Sequence, residues 1–351
     1  MSNLKNNHTP MSLWIFLNAV MVFLMVAIGG ITRLTESGLS MTDWNLFSGM
    51  VPPLNDQDWN LLFDKYKLFP EFKILNYEMT LPEFKKIFFW EYLHRMWGRL
   101  IGLTFIIPFL YFLYKGVVNK KLKILFLCIL SLGCFQGFMG WYMVSSGLVD
   151  RPDVSQYRLA AHLGVAFIIY TFLIFIGWNL LGCEDKEKQL NKYKVNFSYK
   201  NLMLSYLLLF TTIISGAFVA GTDAGLVYNS FPLMGQNLFP NDAFDLNPYW
   251  LNFFENMSLI QFNHRLLATF TCFYIIVTVI IELGNRPEGI NKMFLKMLAF
   301  LIVSQYLLGI FAVLYAVPFL IGLIHQLGAL LNLTLLTLII SEKFKNKYSL
   351  T

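Results

Sequence analysis

Long apolar runs separated by short polar segments dominate this chain. Eight runs are long enough for a helix to cross the hydrocarbon core of a bilayer, which takes about 20 residues. Few charged residues interrupt them. They cover roughly residues 12–32, 88–114, 122–144, 157–181, 200–220, 257–283, 293–315 and 318–341. The pattern predicts an all-α polytopic membrane protein with eight transmembrane helices.

Composition and charge support this class. Of the 351 residues, 56% are hydrophobic and 14% are charged, and the net charge is +6. Lysines and arginines concentrate in the segments after the even-numbered runs and at the C-terminus, whereas residues 221–256 contain none. The positive-inside rule therefore puts both termini in the cytoplasm. The basic charge indicates topology, and we expect no binding to nucleic acid.

Short motifs recur in the same order in the two halves of the chain. Thr-acid-small-Gly-Leu follows the first run at Thr35 and the fifth at Thr222. In each half, the second run contains Glu or Gln followed by His and Arg. The third run contains Gln and Gly, and the fourth contains His. The matched residues are Glu91, His94, Arg95, Gln136, Gly140 and His162 with Gln261, His264, Arg265, Gln305, Gly309 and His325. We expect two tandem four-helix bundles, 12–181 and 200–341, joined by a cytoplasmic linker, 182–199.

Four histidines lie in the even-numbered runs, two in each half. His94, His162, His264 and His325 each fall a few residues inside a run that enters from the outer side, at a depth of roughly 8–10 Å. Two helices with facing imidazoles are suited to the two axial positions of haem iron. Zinc and copper also accept imidazole but usually need further ligands. We therefore predict one bis-histidine haem per half. The sequence leaves open which histidines share an iron.

Arginines lie close to these histidines. Arg158 precedes His162 by one helical turn, and Arg95 and Arg265 directly follow their histidines. Haem propionates are anions that arginine binds with two parallel hydrogen bonds. We expect the three arginines to serve this role. For Arg158 the alternative is a side chain that reaches to the membrane interface.

The two halves differ in one ionisable group. Glu91 in the second run corresponds to Gln261 in the sixth. A carboxylate in a membrane helix marks a functional site, and glutamate can exchange protons whereas glutamine cannot. We expect the first site to be equipped for chemistry and the second only to hold haem and pass electrons. The alternative is that Glu91 forms an ion pair with Arg95 or Arg33.

Features outside the runs complete the prediction. Thr80, Pro82 and Glu83 have the spacing of a capping box at a helix start. Asn55–Phe69 is typical of a short amphipathic helix, either a cap on the outer surface or a lid. No cleavable signal is expected before the first run. The four cysteines lie in runs or at a cytoplasmic end, where packing roles are expected.

The motifs together resemble the haem A synthase family, from about Trp14 to Ser341. Two motifs that carry the resemblance follow each other closely: Gly29–Thr32 with Thr35–Leu39, and a segment that runs from Gly38–Met41 through Trp44 and Gly49 to Pro52-Pro53. The other parts that carry it are Phe88–Gly102, Phe231–Met234 and the four histidines. The chain is similar to the class found in proteobacteria and mitochondria. It lacks the paired outer-loop cysteines of the Bacillus-like class.

The resemblance implies a function and a division of labour. The family oxidises the C8 methyl group of haem O to a formyl group by successive hydroxylations, giving haem A for cytochrome oxidase. By resemblance, His94 and His162 flank the haem O substrate, and Glu91 is the catalytic carboxylate. His264 and His325 bind a haem b cofactor that relays electrons.

Partners and location follow from the same resemblance. We expect a bacterial inner membrane protein with its haem sites towards the periplasm. Haem O synthase (protohaem farnesyltransferase), oxidase assembly factors and a second copy of the chain are possible partners. The alternatives are a diheme b-type electron carrier that leaves haem unmodified, and a transporter built of repeats.

Overall fold

A computed structural model describes residues 8–42, 48–148, 152–181, 199–287 and 289–345. These residues are nearly all helical, contain no strand, and include eight helices long and apolar enough to cross a membrane. The all-α prediction is confirmed. The helices are α1 (His8–Leu34), α2 (Leu81–Tyr114), α3 (Lys120–Gly147), α4 (Gln156–Leu181), α5 (Tyr199–Gly221), α6 (Met257–Gly284), α7 (Gly289–Leu314) and α8 (Phe319–Lys345).

Helix α2 begins seven residues before its apolar run. The predicted capping box is present, because the Glu83 carboxylate accepts hydrogen bonds from the Thr80 backbone N–H at 2.8 Å and hydroxyl at 2.7 Å. With 34 residues, the helix is about 51 Å long at 1.5 Å per residue. That exceeds the roughly 30 Å of a hydrocarbon core. The first turns of α2 can therefore stand outside the membrane.

The predicted amphipathic helix spans Asp56–Tyr66, slightly shorter than expected. Asn55 caps it by accepting a hydrogen bond from the Asp58 N–H at 2.8 Å. Its apolar face packs on the first turns of α2, where the centroid of the Trp59 ring lies 5.1 Å from that of Phe88. This packing fixes the segment before α2 as a cap on the helix end.

Helices α1, α4, α5 and α8 pack together at the centre, with α2 and α3 beside α1 and α4, and α6 and α7 beside α5 and α8. One apolar core joins them, including Leu173 and Leu333. The Tyr170 and Thr334 hydroxyls lie 2.8 Å apart and link α4 to α8. Helices of both predicted four-helix halves thus contribute to one apolar core. The division of the chain into two bundles stays a prediction.

Some predicted features lie outside the described residues. These include all but the last residue of the linker 182–199, together with Trp44 and Cys183. Cys128, Cys134 and Cys272 are free thiols. We call the end of the molecule where α1 ends and α2 begins the large-loop side, because residues 35–42, 48–80 and 222–256 lie there. Arg33 connects these segments, donating to the Ala220 carbonyl and to Asp223, each at 2.7 Å.

Candidate functional site

Each of the four histidines lies against a glycine of the preceding spanning helix. A Cβ atom added to that glycine would lie within 3.0–3.3 Å of the nearest imidazole atom, which is tighter than nine in ten real Cβ contacts. A larger residue there would therefore have to displace the ring by a few tenths of an ångström. All four histidines are half-buried. The pairs are His94 with Gly29, His162 with Gly140, His264 with Gly216, and His325 with Gly309.

The structure brings the histidines together two by two. His94 lies within electrostatic range of His162, and His264 lies within range of His325. The pairs combine α2 with α4 and α6 with α8. No group of three or more His, Cys, Asp or Glu residues converges in the described part of the chain. A two-ligand arrangement within each half is the geometry that two axial positions of one iron require.

In the second half, both imidazoles are held through Nδ1. The Ser215 hydroxyl lies 2.7 Å from Nδ1 of His264. The Gln305 amide nitrogen lies 3.1 Å from Nδ1 of His325 and donates to the His325 carbonyl at 2.8 Å. The Ser215 hydroxyl can accept from Nδ1–H of His264, which fixes that ring and leaves Nε2 for a metal. The Gln305 amide N–H is itself a donor, so it orients the His325 ring without leaving Nε2 free in the same way. His264 therefore has the surroundings of a metal ligand more fully than His325.

The first half lacks part of this support. Gln136 contacts Nε2 of His162 at 3.2 Å and the His162 carbonyl at 3.0 Å, while Nδ1 of His162 is buried without a partner. The residue that matches Ser215 is Ile28, which cannot form a hydrogen bond through its side chain. The first pair of imidazoles is therefore less firmly held than the second.

Glu91 is buried and fully engaged with its surroundings. One carboxylate oxygen pairs with Arg95 at 2.6 Å, and the other accepts hydrogen bonds from the Ser40 hydroxyl and the Met41 N–H, both at 2.7 Å. The alternative expectation of an ion pair with Arg95 is thus confirmed. The alternative pair with Arg33 does not form. Glu91 fastens the segment after α1 onto α2.

The second half repeats this arrangement without the charge. The Gln261 amide donates to the Tyr228 carbonyl at 3.1 Å, and its own carbonyl oxygen is buried without a partner. Arg265 donates to the Tyr228 and Ser230 carbonyls at 2.6 and 2.8 Å, just as Arg95 donates to the Met41 carbonyl at 2.8 Å. Nε of Arg265 is buried and unpartnered.

Arg158 is bound to the end of α3. Its guanidinium donates to the Tyr142 carbonyl at 2.5 Å and lies 3.7 Å from the centroid of the Tyr142 ring. Arg95, by contrast, lines a small cleft with Met41, Trp141 and Ser145 on the large-loop side. Of the three predicted propionate partners, Arg95 is the one paired with a carboxylate, that of Glu91.

A sequence profile described as "Cytochrome oxidase assembly protein", COX15-CtaA, matches residues 12–337. The chain belongs to the COX15-CtaA family. Relatives of this COX15-CtaA protein include "Heme A synthase" of Nitrosospira multiformis, 45% identical over 93% of this chain and 91% of that protein. "Heme A synthase COX15" of Bos taurus is 45% identical over 94% of this chain and 81% of that protein. "Heme A synthase" of Nitrosomonas eutropha is 40% identical, with 93% and 92% covered.

Several groups at the site of this COX15-CtaA protein have no role that the sequence assigns. Gln136, Gln305 and the glycines belong to the repeated motifs, and they lie on helices that precede the histidine helices. This repeated position is the sequence feature that could have indicated their contacts with the imidazoles. Ser215 has no counterpart in the first half, so the repeat could not indicate it. Ser40 holds Glu91 from a distant part of the chain.

Proposed function

We propose that this protein is a haem A synthase, which oxidises the C8 methyl group of haem O to a formyl group through successive hydroxylations. The observation that carries the proposal is the pair of two-histidine sites with unequal surroundings. Relatives named "Heme A synthase" at 40–45% identity over nearly the whole chain support it. They do not favour a diheme electron carrier that leaves haem unmodified.

The second pair is proposed to hold haem b as a resident cofactor. His264 and His325 are restrained through Nδ1, and a cofactor that stays in place benefits from such fixed ligands. The buried, unpartnered Nε of Arg265 suits a propionate. Bound haem b supplies one-electron redox chemistry. The protein's part is to bind and orient it.

The first pair is proposed to bind the substrate haem O. His94 and His162 have fewer supporting hydrogen bonds than the second pair, as a ligand that must arrive and leave would require. Arg95 and Arg158 are the proposed propionate partners there. Arg158 also binds the end of α3, and Arg95 also pairs with Glu91, so a propionate would add to contacts that both guanidinium groups already make.

Glu91 is proposed as the carboxylate that takes part in the reaction. It is buried one turn before His94, and its ion pair with Arg95 keeps it in a fixed position. A fixed carboxylate stabilises positive charge that develops on the substrate or takes up a proton released from it. The second half carries the amide Gln261 instead, in keeping with a site that only passes electrons.

The finer assignments are also proposals. The reaction class is that of an oxidoreductase acting on CH or CH2 groups. Bacterial relatives support the proposed inner membrane location, and the positive-inside pattern supports an orientation with the haem sites towards the periplasm. The family description as an oxidase assembly protein supports haem O synthase and oxidase assembly factors as partners. A second copy of the chain is a further proposed partner.

Pigment analysis of the purified chain tests the proposal. We expect a visible spectrum of b-type haem, and chromatography of the extract should resolve haem O, a hydroxylated product and haem A. His264→Ala should lose haem b, whereas His94→Ala should retain haem b and lose the haem O-derived pigments. An extract with haem b alone, under conditions that supply haem O, would support the diheme carrier. A colourless protein would support the transporter.

A further inference from the structure

The interface between α6 and α7 in the second half is closed by side chains. The Thr269 hydroxyl on α6 lies 3.0 Å from the Tyr306 hydroxyl on α7. One turn further along, the Cys272 thiol lies 3.9 Å from the Ile302 carbonyl, and the Ile302 side chain is 3% exposed. These contacts fill the space between the two helices beside His264 and His325.

The matching interface in the first half carries glycines instead. The matched pairs His94/His264 and Gln136/Gln305 set the correspondence, which places Gly102, Gly133 and Gly137 where the second half has Cys272, Ile302 and Tyr306. A Cβ atom on any of the three glycines would meet no atom of the described residues within 4 Å. All three glycines are exposed.

Helices α2 and α3 accordingly diverge towards the large-loop side. They approach each other over less of their length than α6 and α7 do. Their ring contacts lie at the other end, where the Phe126 centroid is 6.4 Å from that of Phe105 and 5.7 Å from that of Phe109. We call the resulting space, bordered by Gly102, Gly133 and Gly137, the α2–α3 gap.

The gap leads to the first histidine pair. Gly133, Gly137 and Gly140 are spaced four and three residues apart and so share one face of α3. Gly140 lies against His162, and Gln136 on the same side of the helix contacts the same ring. Nδ1 of His162 is buried there without a partner among the described residues. The gap therefore lies on the face of α3 that also reaches His162.

We propose that the α2–α3 gap binds the long isoprenoid chain of the substrate porphyrin and lets that chain extend towards lipid. This inference rests on the proposed function. Haem O carries such a chain and haem b does not. The half proposed for haem b has the space filled by Cys272, Ile302 and Tyr306, and the half proposed for haem O has it open. Lipid tails are as apolar as such a groove, so the chain would be held there by van der Waals contacts with the lining of the gap.

A double variant that copies the second half tests this. Gly133→Ile with Gly137→Tyr in the full chain should fill the gap. We would titrate haem O and, separately, protohaem into the first site of purified protein whose second site holds haem b. Because the added side chains would overlap the isoprenoid chain, haem O binding should weaken by about tenfold or more. Protohaem, which lacks the chain, should bind the variant and the unaltered protein equally.

Controls separate this effect from misfolding. Ser131→Ile adds similar bulk at an exposed position of α3 away from the gap, and should leave both affinities unchanged. Haem b retained in the second site reports a folded bundle. If the double variant fails to fold, the milder Gly133→Ala with Gly137→Ala should still weaken haem O selectively.

The remaining outcomes would overturn the inference. Equal haem O affinity in the variant and the unaltered protein would show that the chain lies elsewhere. Equal loss of both porphyrins would show that the gap admits the ring and not its substituent. If the unaltered protein bound no haem O in its first site, the proposed function itself would fail, which is a result distinct from either of these.

Discussion

The Ser215 hydroxyl lies 2.7 Å from Nδ1 of His264, and the matching position in the first half is Ile28. Because this hydroxyl also donates to the Thr212 carbonyl at 2.8 Å, it accepts the hydrogen bond from the imidazole. An acceptor at Nδ1 makes the ring a stronger donor to a metal at Nε2. The difference between serine and isoleucine thus separates a firmly held ligand from a looser one.

Ser215→Ala should therefore weaken haem binding in the second half by about tenfold or more and raise the reduction potential of that haem. The potential rises because a less basic imidazole stabilises ferric iron less. Haem content and a redox titration measure both effects. Ser205→Ala removes a buried hydroxyl from the same helix that lies 3.4 Å from Thr278, and it should change neither quantity.

Glu91→Gln gives the first half the amide that the second half carries at Gln261. We expect the variant to keep both haem sites, while the rate of haem A formation falls by about 100-fold or more, as the loss of a proton-transferring group predicts. Product chromatography after supply of haem O measures the rate.

The control must distinguish a role of Glu91 in the reaction from its role in holding the segment after α1 against α2. Ser40→Ala removes one hydrogen bond to Glu91 and keeps the acid. It should retain most of the activity. Equal losses in the Ser40 and Glu91 variants would indicate that the carboxylate only holds the segment in place.

The glycines that contact the histidines should be intolerant of substitution. Gly309→Val should displace His325, because even a Cβ atom would lie 3.0 Å from its ring. Overpacking of this kind costs about 1–3 kcal/mol, which is about 5- to 150-fold in affinity for the second-site haem. Gly140→Val should instead impair haem O binding and spare haem b. Gly284→Val, where a Cβ atom meets nothing within 4 Å, is the matched control.

The segment that leads into α2 should respond to pH through Glu71. Burial raises the pKa of this carboxyl group from 4.5 to about 7, and the Tyr66 hydroxyl hydrogen-bonded to it at 2.9 Å lowers the pKa in part. The folded segment keeps a proton that the unfolded segment releases. Its free energy of unfolding should therefore fall as pH rises from about 4.5 to 7, by up to about 3 kcal/mol.

Amide hydrogen exchange of residues 56–74, compared at pH 5 and pH 8 after correction for intrinsic rates, measures this. Protection should be greater at pH 5. Glu71→Gln should abolish the difference, and Glu78→Gln at an exposed position should not. A difference that persists in the Glu71 variant would assign the pH response to another group.

The sequence predicted the features that depend on local pattern. Apolar length identified the spans, and Thr80 with Glu83 identified a helix start. The apolar run begins seven residues after the start of α2, because hydrophobicity marks the part of a helix in lipid and the cap marks where its hydrogen bonds begin. The histidines stood out because ionisable groups are rare in such helices.

The rest depends on contacts between distant parts of the chain. The Glu91 carboxylate is held by Ser40 and Met41, about fifty residues earlier, and no local pattern indicates that contact. The match between Gly137 and Tyr306 was visible in the repeat. Its structural effect depends on how α2 and α3 pack, because replacing tyrosine with glycine leaves open space only where no neighbouring side chain fills it.

The hydrogen bond between Tyr170 and Thr334 has a consequence for electron transfer. His162 and His325 belong to the two helices that this bond joins at the buried centre. The separation of metal centres attached to these helices would be set by the packing of this buried centre. Tunnelling rates fall steeply with separation, so a rigid spacer would leave reduction potentials as the quantity that sets the direction and speed of electron flow.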